Sequence, residues 1–243
     1  MTASERHLNW SGCFNVRDLG GLPATGGMRT RRGALVRADA LSGLTAEGWR
    51  ALLEHGVRTV VDLRNEEERV DDAAPRPAEL ETVHVPLDGS SDRAFWQPIE
   101  TSPEFGTPLY YRAHLLRKPQ LSAAAVAAVA RARPGGVVFH CVGGRDRSGQ
   151  LAMVLLALLG VPAAEIGADY ELTRARLSRL FRERGEEDHG DELAAYLAER
   201  GTTAAEVIAT TLASLDLETT LAAGGLTSDD LAALRERMLE PAP

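Results

Sequence analysis

The chain has 243 residues, enough for one α/β domain or two small ones with a sizeable core. Apolar residues make up 44% and charged residues 26%, a globular composition that excludes disordered and fibrous classes. With 27 Lys and Arg against 35 Asp and Glu, the formal net charge is −8, which argues against broad contact with nucleic acid or anionic membranes. The sequence has two cysteines, Cys13 and Cys141, too few for a disulfide framework or a cysteine-rich zinc module.

The N-terminus and the apolar runs predict a soluble protein. Residues 1–10 lack the apolar run of a signal peptide. The longest apolar run, 151–161, has 11 residues against about 20 for a membrane span. We expect a cytoplasmic monomer with no nucleic-acid partner and no stable membrane association, and the sequence leaves export without a leader open.

Strand and helix patterns alternate in the first part of the chain. A short strand is predicted at 34–37, followed by a helix that Thr45 caps and Gly56 ends. The β-branched run 57–63 indicates a buried strand. The run 83–87 indicates a strand at a sheet edge, because its proline cannot donate to a ladder.

The middle of the chain is less regular. Residues 88–119 hold four prolines and are predicted to form a long irregular surface excursion. Ser122 is predicted to cap an alanine-rich helix that ends before 134–136. A short strand at 137–140 and a fully buried helix around 151–159 follow.

The rest of the chain is predicted to be helical. Thr203 with Glu206, and Thr227 with Asp230, have the spacing of capping boxes. Strands separated by helices indicate an α/β fold, with a mainly parallel sheet of four or five strands flanked by helices. We expect a single domain over 1–243 with a helical C-terminal subdomain, which either completes the core or, at 163–200, forms a lid.

The segment 137–149 carries the chemistry. A strand ends, a glycine-rich turn follows and a helix begins, so backbone N–H groups and the helix N-terminus form an anion cradle. Cys141 lies at the mouth of this cradle, where the same dipoles stabilise a thiolate nucleophile. Arg147 follows six positions later, and its planar guanidinium matches two oxygens of a phosphoryl group.

Specific residues exclude the competing nucleotide-binding and zinc-binding motifs. The spacing from Gly144 to Gly149 is that of a nucleotide-binding P-loop, but Gln150 and Leu151 stand where Lys and Ser or Thr are required. The sequence has no G-x-G-x-x-G and no C-x-x-C, and one Cys beside one His is poor zinc-ligand spacing. We predict no metal and no cofactor.

The stretch His140–Gly149 resembles the HCxxGxxR[S/T]G signature of the Cys-dependent phosphatases, and most closely the HCxAGKDRTG loop of the atypical bacterial tyrosine and phosphoinositide phosphatases. Further segments resemble that subgroup: Asn15–Gly21, Arg32–Leu41, Val61–Arg64 with Glu67 and Glu68, and Asp169-Tyr170. The loop departs from the pattern at Gly143, Arg145 and Ser148. Arg145 keeps the charge of the usual lysine but not its reach, which weakens the implied preference for phosphoinositides.

The resemblance and the residue types together assign roles. Cys141 is predicted as the nucleophile and Arg147 as the phosphate clamp. His140 either orients the loop and supports the thiolate or is an ordinary core histidine, and Ser148 either donates to the departing thiolate or caps the helix. The predicted phosphate-binding residues are Cys141, Val142, Gly143, Gly144, Arg145, Asp146 and Arg147.

The general acid has three candidates. A carboxylic acid must protonate the leaving oxygen and then activate water. The resemblance points to Asp146, inside the signature. Asp62 is the second candidate, because it ends a buried strand at the sheet edge where ligands bind, and its alternative role is a structural partner for Arg64. Asp88, after the next strand, is the third.

These observations predict metal-independent hydrolysis of phosphomonoesters through a phosphocysteine intermediate. The resemblance implies a protein-tyrosine phosphatase, with phosphoserine, phosphothreonine or phosphoinositide activity as an addition. The expected substrate is a phosphorylated protein or a small phosphomonoester. Two alternatives stay open: a rhodanese-like sulfurtransferase, which also uses a loop cysteine, and a catalytically inactive phospho-binding module.

Overall fold

The computed structural model describes residues 6–70, 72 and 76–242. Its strands are β1 (Arg17–Asp18), β2 (Pro23–Ala24), β3 (Met28–Thr30), β4 (Leu35–Ala38), β5 (Val57–Asp62), β6 (Glu81–His84), β7 (Gly136–His140) and β8 (Leu239–Pro241). Its α-helices are α1 (Ala46–Glu54), α2 (Arg93–Glu100), α3 (Tyr111–Arg117), α4 (Pro119–Ala130), α5 (Asp146–Leu158), α6 (Ala163–Arg184), α7 (Gly190–Ala198), α8 (Ala204–Ala213), α9 (Leu217–Ala223) and α10 (Ser228–Met238). Within these ranges, none of the helices combines the length and apolar character that crossing a membrane requires.

The central sheet has five strands in the order β1-β4-β7-β5-β6. The last four run parallel, and β1 is antiparallel on β4. This confirms the predicted mainly parallel sheet, including the edge position of β6. The strand itself covers Glu81–His84 rather than 83–87. Val85 and Leu87 still donate to the Asp62 and Leu63 carbonyls, so Pro86 lies where no N–H is needed toward β5.

Apolar side chains cover both faces of the sheet, as a parallel sheet requires. Neighbouring residues of β7 point to opposite faces: Phe139 packs with α4 and α5, and Val138 packs with α1 and the N-terminal segment. Helix α5 is buried on nearly all sides, which confirms the predicted central helix. Thr45 caps α1 by accepting a hydrogen bond from the Gly48 N–H.

The prediction that 88–119 is an irregular surface excursion is wrong. This segment contains α2 and α3, and the aromatic rings of Trp96, Tyr110 and Tyr111 are buried in edge-to-face contacts. The aromatic residues therefore decide the structure here, since each buries a large apolar area. The prolines occupy compatible positions, such as Pro119 at the first position of α4.

The predicted capping role of Ser122 is also wrong. Helix α4 starts at Pro119, whose missing N–H costs nothing in a first turn. Ser122 lies one turn inside the helix, where it is buried and accepts a hydrogen bond from Gln150.

The C-terminal helices complete the core. Helices α9 and α10 pack on α4, and α8 packs on α6. Both predicted capping boxes are present, at Thr203 and Thr227. The pairing of β8 with β3 was not predicted, because the partners are about as far apart in sequence as the chain allows.

Candidate active site

The glycine-rich turn at 141–145 joins the carboxyl end of β7 to the N-terminus of α5. Cys141 follows the strand directly and is 2% exposed. Its Sγ lies 3.6 Å from Oγ of Ser148 in the first turn of α5. The sulfur therefore lies close to the positive end of the helix dipole and to a hydroxyl that can donate to a thiolate.

Every carbonyl of this turn is bound from outside. The His140 ring donates to the Cys141 carbonyl (3.1 Å), and the Ala40 N–H donates to the Val142 carbonyl (2.9 Å). The Asn15 amide donates to the carbonyls of Gly143 and Gly144 (3.1 and 3.0 Å). The Arg37 guanidinium donates to the carbonyls of Gly144 and Arg145 (3.1 and 2.9 Å). With the carbonyls facing outward, the N–H groups face inward. Those of residues 142–145 have no acceptor among the described residues. The turn is therefore a preformed anion cradle.

Gly144 makes the turn possible. Its φ of +69° favours glycine, and a Cβ at this position would lie 2.8 Å from the Ala38 carbonyl oxygen. Gly143 is different, because a Cβ there would meet only Leu177, at an ordinary 3.6 Å.

Three of the segments that carry the family resemblance meet behind the cradle. Asp169 of α6 is buried and binds Arg17 (3.0 Å), Arg37 (3.2 Å) and Arg6 (2.7 Å). Burial by itself would raise the pKa of Asp169, but the charges of Arg17 and Arg37 hold that pKa well below its usual range. Arg37 in turn holds the turn carbonyls. This network fixes the cradle and anchors the first part of 163–200.

Arg147 projects from the first turn of α5 onto two carboxylates. Both of its terminal nitrogens bind Glu68, one of them at 2.7 Å, and one lies 3.3 Å from Asp88. Burial alone would lower the pKa of Arg147, but Glu68, Cys141 and Asp88 raise it above its usual value. The guanidinium therefore stays charged at the rim of the cradle.

Asp88 has the environment of a proton donor. Its carboxyl is held by Asn65 at 3.2 Å, and its backbone carbonyl accepts from Trp96 (3.0 Å) and Lys118 (3.0 Å). Burial, partly offset by the charge of Arg147, raises the pKa of Asp88 to about 6. A carboxyl with this pKa is still partly protonated near neutral pH.

Asp62 has the opposite environment. Its fully buried carboxylate binds Arg64 at 2.8 Å and Arg76 at 3.1 Å. Burial alone would raise the pKa of Asp62, but the hydrogen bonds and the charge of Arg64 hold it well below its usual range. A carboxylate that stays ionised cannot donate a proton. These contacts favour the structural alternative, a partner for Arg64.

His140 is buried, and desolvation lowers its pKa to about 4, so the ring is neutral near pH 7. Nδ1 lies 3.1 Å from the Cys141 carbonyl, and Nε2 lies 3.3 Å from the Arg76 guanidinium. Since arginine can only donate, Nε2 accepts and Nδ1–H donates to the turn. His140 thus orients the backbone at Cys141.

Asp146 and Arg145 form a pair at the start of α5. Nε of Arg145 lies 3.2 Å from the Asp146 carboxylate, and the Asp146 carbonyl accepts from the Tyr111 hydroxyl at 2.8 Å. The structure brings Asp146 and Asp88 to the same end of the sheet as Cys141. Sequence reasoning ranks Asp88 third among the acid candidates, because the neighbours that set its pKa come from segments far apart along the chain.

A family model described as "Tyrosine phosphatase family" matches residues 8–240. The protein named "Putative tyrosine-protein phosphatase H16_A0669" of Cupriavidus necator is 34% identical over 163 residues, covering 64% of this chain and 59% of that protein. A tyrosine-protein phosphatase of Nostoc commune is 31% identical over 160 residues, covering 65% and 54%. The chain thus spans less than two thirds of the length of these relatives.

Solved structures of TpbA of P. aeruginosa are also similar. A crystal structure of TpbA in complex with pTyr aligns over 83% of this chain and 91% of TpbA, at 16% identity and a TM-score of 0.39. A second TpbA crystal structure aligns over 82% of this chain, at 18% identity and a TM-score of 0.36.

Proposed function

The chain belongs to the tyrosine phosphatase family, and on this premise we propose that it hydrolyses phosphomonoesters, phosphotyrosine foremost, through a phosphocysteine intermediate. One observation carries the proposal: Cys141 lies at the base of a turn whose carbonyls are all bound from outside, which leaves the N–H groups of residues 142–145 available to an anion. Such a cradle binds the oxygens of a phosphate and also stabilises the thiolate beneath them.

The first step transfers the phosphoryl group to sulfur. The Cys141 thiolate attacks phosphorus, the S–P bond forms, and the bond to the ester oxygen breaks with its electron pair on that oxygen. Arg147, which lies on Glu68 and Asp88 in this structure, binds two phosphoryl oxygens and stabilises the charge that develops on them.

The leaving oxygen needs a proton, and we assign Asp88 as its donor. Its half-buried carboxyl lies beside Arg147, and its pKa of about 6 leaves protonated acid available near neutral pH. Asp146, which the sequence favours, is the second candidate, and its carboxylate faces Arg145.

The second step returns the enzyme to its starting state. The ionised acid takes a proton from water, the water oxygen attacks phosphorus, and the S–P bond breaks with its electron pair on sulfur. The Ser148 hydroxyl, 3.6 Å away, donates to the departing thiolate, and His140 holds the adjacent carbonyl.

The test is turnover of an aryl phosphate by the wild type and by Cys141→Ser. We expect the wild type to be active in EDTA and to form an acid-stable phosphoprotein. Cys141→Ser should show no turnover and should form no phosphoprotein. Turnover by Cys141→Ser would contradict the proposal. Thiosulfate cyanolysis without phosphatase activity would instead identify a sulfurtransferase, and phosphopeptide binding without turnover a binding module.

A further inference from the structure

The chain has a single lysine, Lys118, among its 27 Lys and Arg residues. It lies between Arg117, the last residue of α3, and Pro119, the first residue of α4. Lys118 is only 5% exposed, and a lysine is rarely buried unless its ammonium has partners. The mechanism proposed above makes no use of this residue.

The Lys118 ammonium binds the backbone of the segment that carries the proposed acid. Nζ donates to the Asp88 carbonyl at 3.0 Å and to the Gly89 carbonyl at 2.9 Å. The same nitrogen lies over the rings of Phe95 and Trp96, 4.8 and 5.2 Å from their centroids. An ammonium is a compact donor that fits two carbonyls beside two rings, whereas a guanidinium is a planar fork. This geometry is a physical reason for a lysine in a chain that otherwise uses arginine.

Two further side chains donate to the Asp88 carbonyl. Nε1 of Trp96 in α2 lies 3.0 Å from it, and Nε2 of His114 in α3 lies 3.2 Å from it. Burial lowers the pKa of His114 to about 4, so the ring is neutral near pH 7. Because a carbonyl only accepts, Nε2 carries the proton, and Nδ1 accepts from the Gln150 amide at 2.9 Å. Gln150 belongs to α5, so this contact ties the Asp88 backbone to the helix that carries Arg147.

The carboxyl of Asp88 depends on this backbone for its position. It accepts a hydrogen bond from Asn65 at 3.2 Å and lies 3.3 Å from the Arg147 guanidinium. From this arrangement we infer that Lys118 is a positioning residue for the acid: it holds the Asp88 backbone so that the carboxyl stays beside Arg147. The inference rests on the proposed function and deepens it. A catalytic group that moves by about 1 Å can lose about 10²-fold in rate.

A cycle of single and double variants tests the inference. Lys118→Met removes the ammonium and keeps an unbranched side chain. We expect it to lower kcat/KM for phenyl phosphate by about 10²-fold. For 2,4-dinitrophenyl phosphate, whose phenolate leaves without a proton, the loss should stay below about threefold. In Asp88→Asn no carboxyl remains to be positioned, so adding Lys118→Met should change kcat/KM for phenyl phosphate by less than about threefold.

Arg117→Met is the matched control. Arg117 is the adjacent cation and lies 5.9 Å from the centroid of the same Phe95 ring, but its hydrogen bonds go to Asp92 rather than to Asp88. The variant should keep the wild-type kcat/KM for both esters within about twofold. If Lys118→Met does not fold, Trp96→Phe removes another donor to the Asp88 carbonyl and keeps a ring. It should show the same dependence on the leaving group.

Several outcomes would overturn the inference. Equal losses for the two esters, or an undiminished further loss in Asp88→Asn, would show that Lys118 serves only the stability of the fold. Wild-type rates in Lys118→Met, or in Asp88→Asn itself, would also contradict it. A wild type that hydrolyses neither ester contradicts instead the proposed function.

Discussion

Replacing Asp88 with asparagine removes the ionisable carboxyl beside Arg147 and keeps the shape of the side chain. General acids contribute about 10²–10⁴ to a rate. We therefore expect Asp88→Asn to lower kcat/KM for phenyl phosphate by about 10²-fold or more near pH 5. For 2,4-dinitrophenyl phosphate, whose leaving group needs no proton, the loss should stay below about tenfold.

The pH dependence follows from the raised pKa. Asp88 is protonated below about pH 6, so kcat/KM of the wild type for phenyl phosphate should fall about tenfold for each pH unit above that value. Asp88→Asn should lack this limb. Asp146→Asn, the matched control on the neighbouring carboxyl, should keep it.

The same substitution should stabilise the protein. The pKa rises from 3.8 to about 6 on folding, a difference of about 2 units, or up to about 3 kcal/mol. Because the native pKa is the higher one, the wild type has this stability below about pH 4 and loses it as the pH rises through about 6. Asparagine never ionises, so urea unfolding at pH 7 should show the variant to be more stable.

Three results would refute this reasoning about Asp88. The first is a basic limb that persists in Asp88→Asn, and the second is an equal loss of rate for both leaving groups. The third is transfer of both effects to Asp146→Asn, which would move the acid to the residue that the sequence favours.

Three further predictions concern the cradle. Gly144→Ala should lower kcat/KM by about 10²-fold, because its φ of +69° and the 2.8 Å approach to Ala38 leave no room for a Cβ. For Gly143→Ala, kcat/KM should stay within about threefold of the wild type. Steady-state kinetics of the two variants would test this difference, and equal losses would contradict it. Asp169→Asn leaves the buried Arg17 and Arg37 without their carboxylate and should cost about 3–5 kcal/mol in urea unfolding, so an unchanged midpoint would count against the network. Arg147→Lys keeps the charge but loses the planar pair of donors, and kcat/KM for aryl phosphates should fall by about 10²-fold or more. Comparison with Arg147→Ala would show whether this loss of rate comes from the geometry of the guanidinium or from its charge.

The sequence determined what depends on neighbours along the chain. The signature turn, the strand β5 and the caps at Thr45, Thr203 and Thr227 are patterns of a few consecutive residues, and the structure contains them. The alternation of strands and helices also sufficed to predict a mainly parallel sheet, because parallel strands need crossover connections, which are usually helices.

Tertiary structure alone decided the electrostatics of the carboxylates. Asp62 ends β5 and Asp88 follows β6, so the two carboxylates look alike in sequence. Asp62 lies among arginines, which keep it ionised, whereas Asp88 is half-buried beside Arg147 and near Glu68, and this partial burial raises its pKa. A pKa depends on burial and on charges within a few ångströms, and those neighbours come from distant parts of the chain. For the same reason, the sequence did not predict α2, α3 or the pairing of β8 with β3. These elements are stabilised by contacts between distant parts of the chain, which a local pattern does not contain.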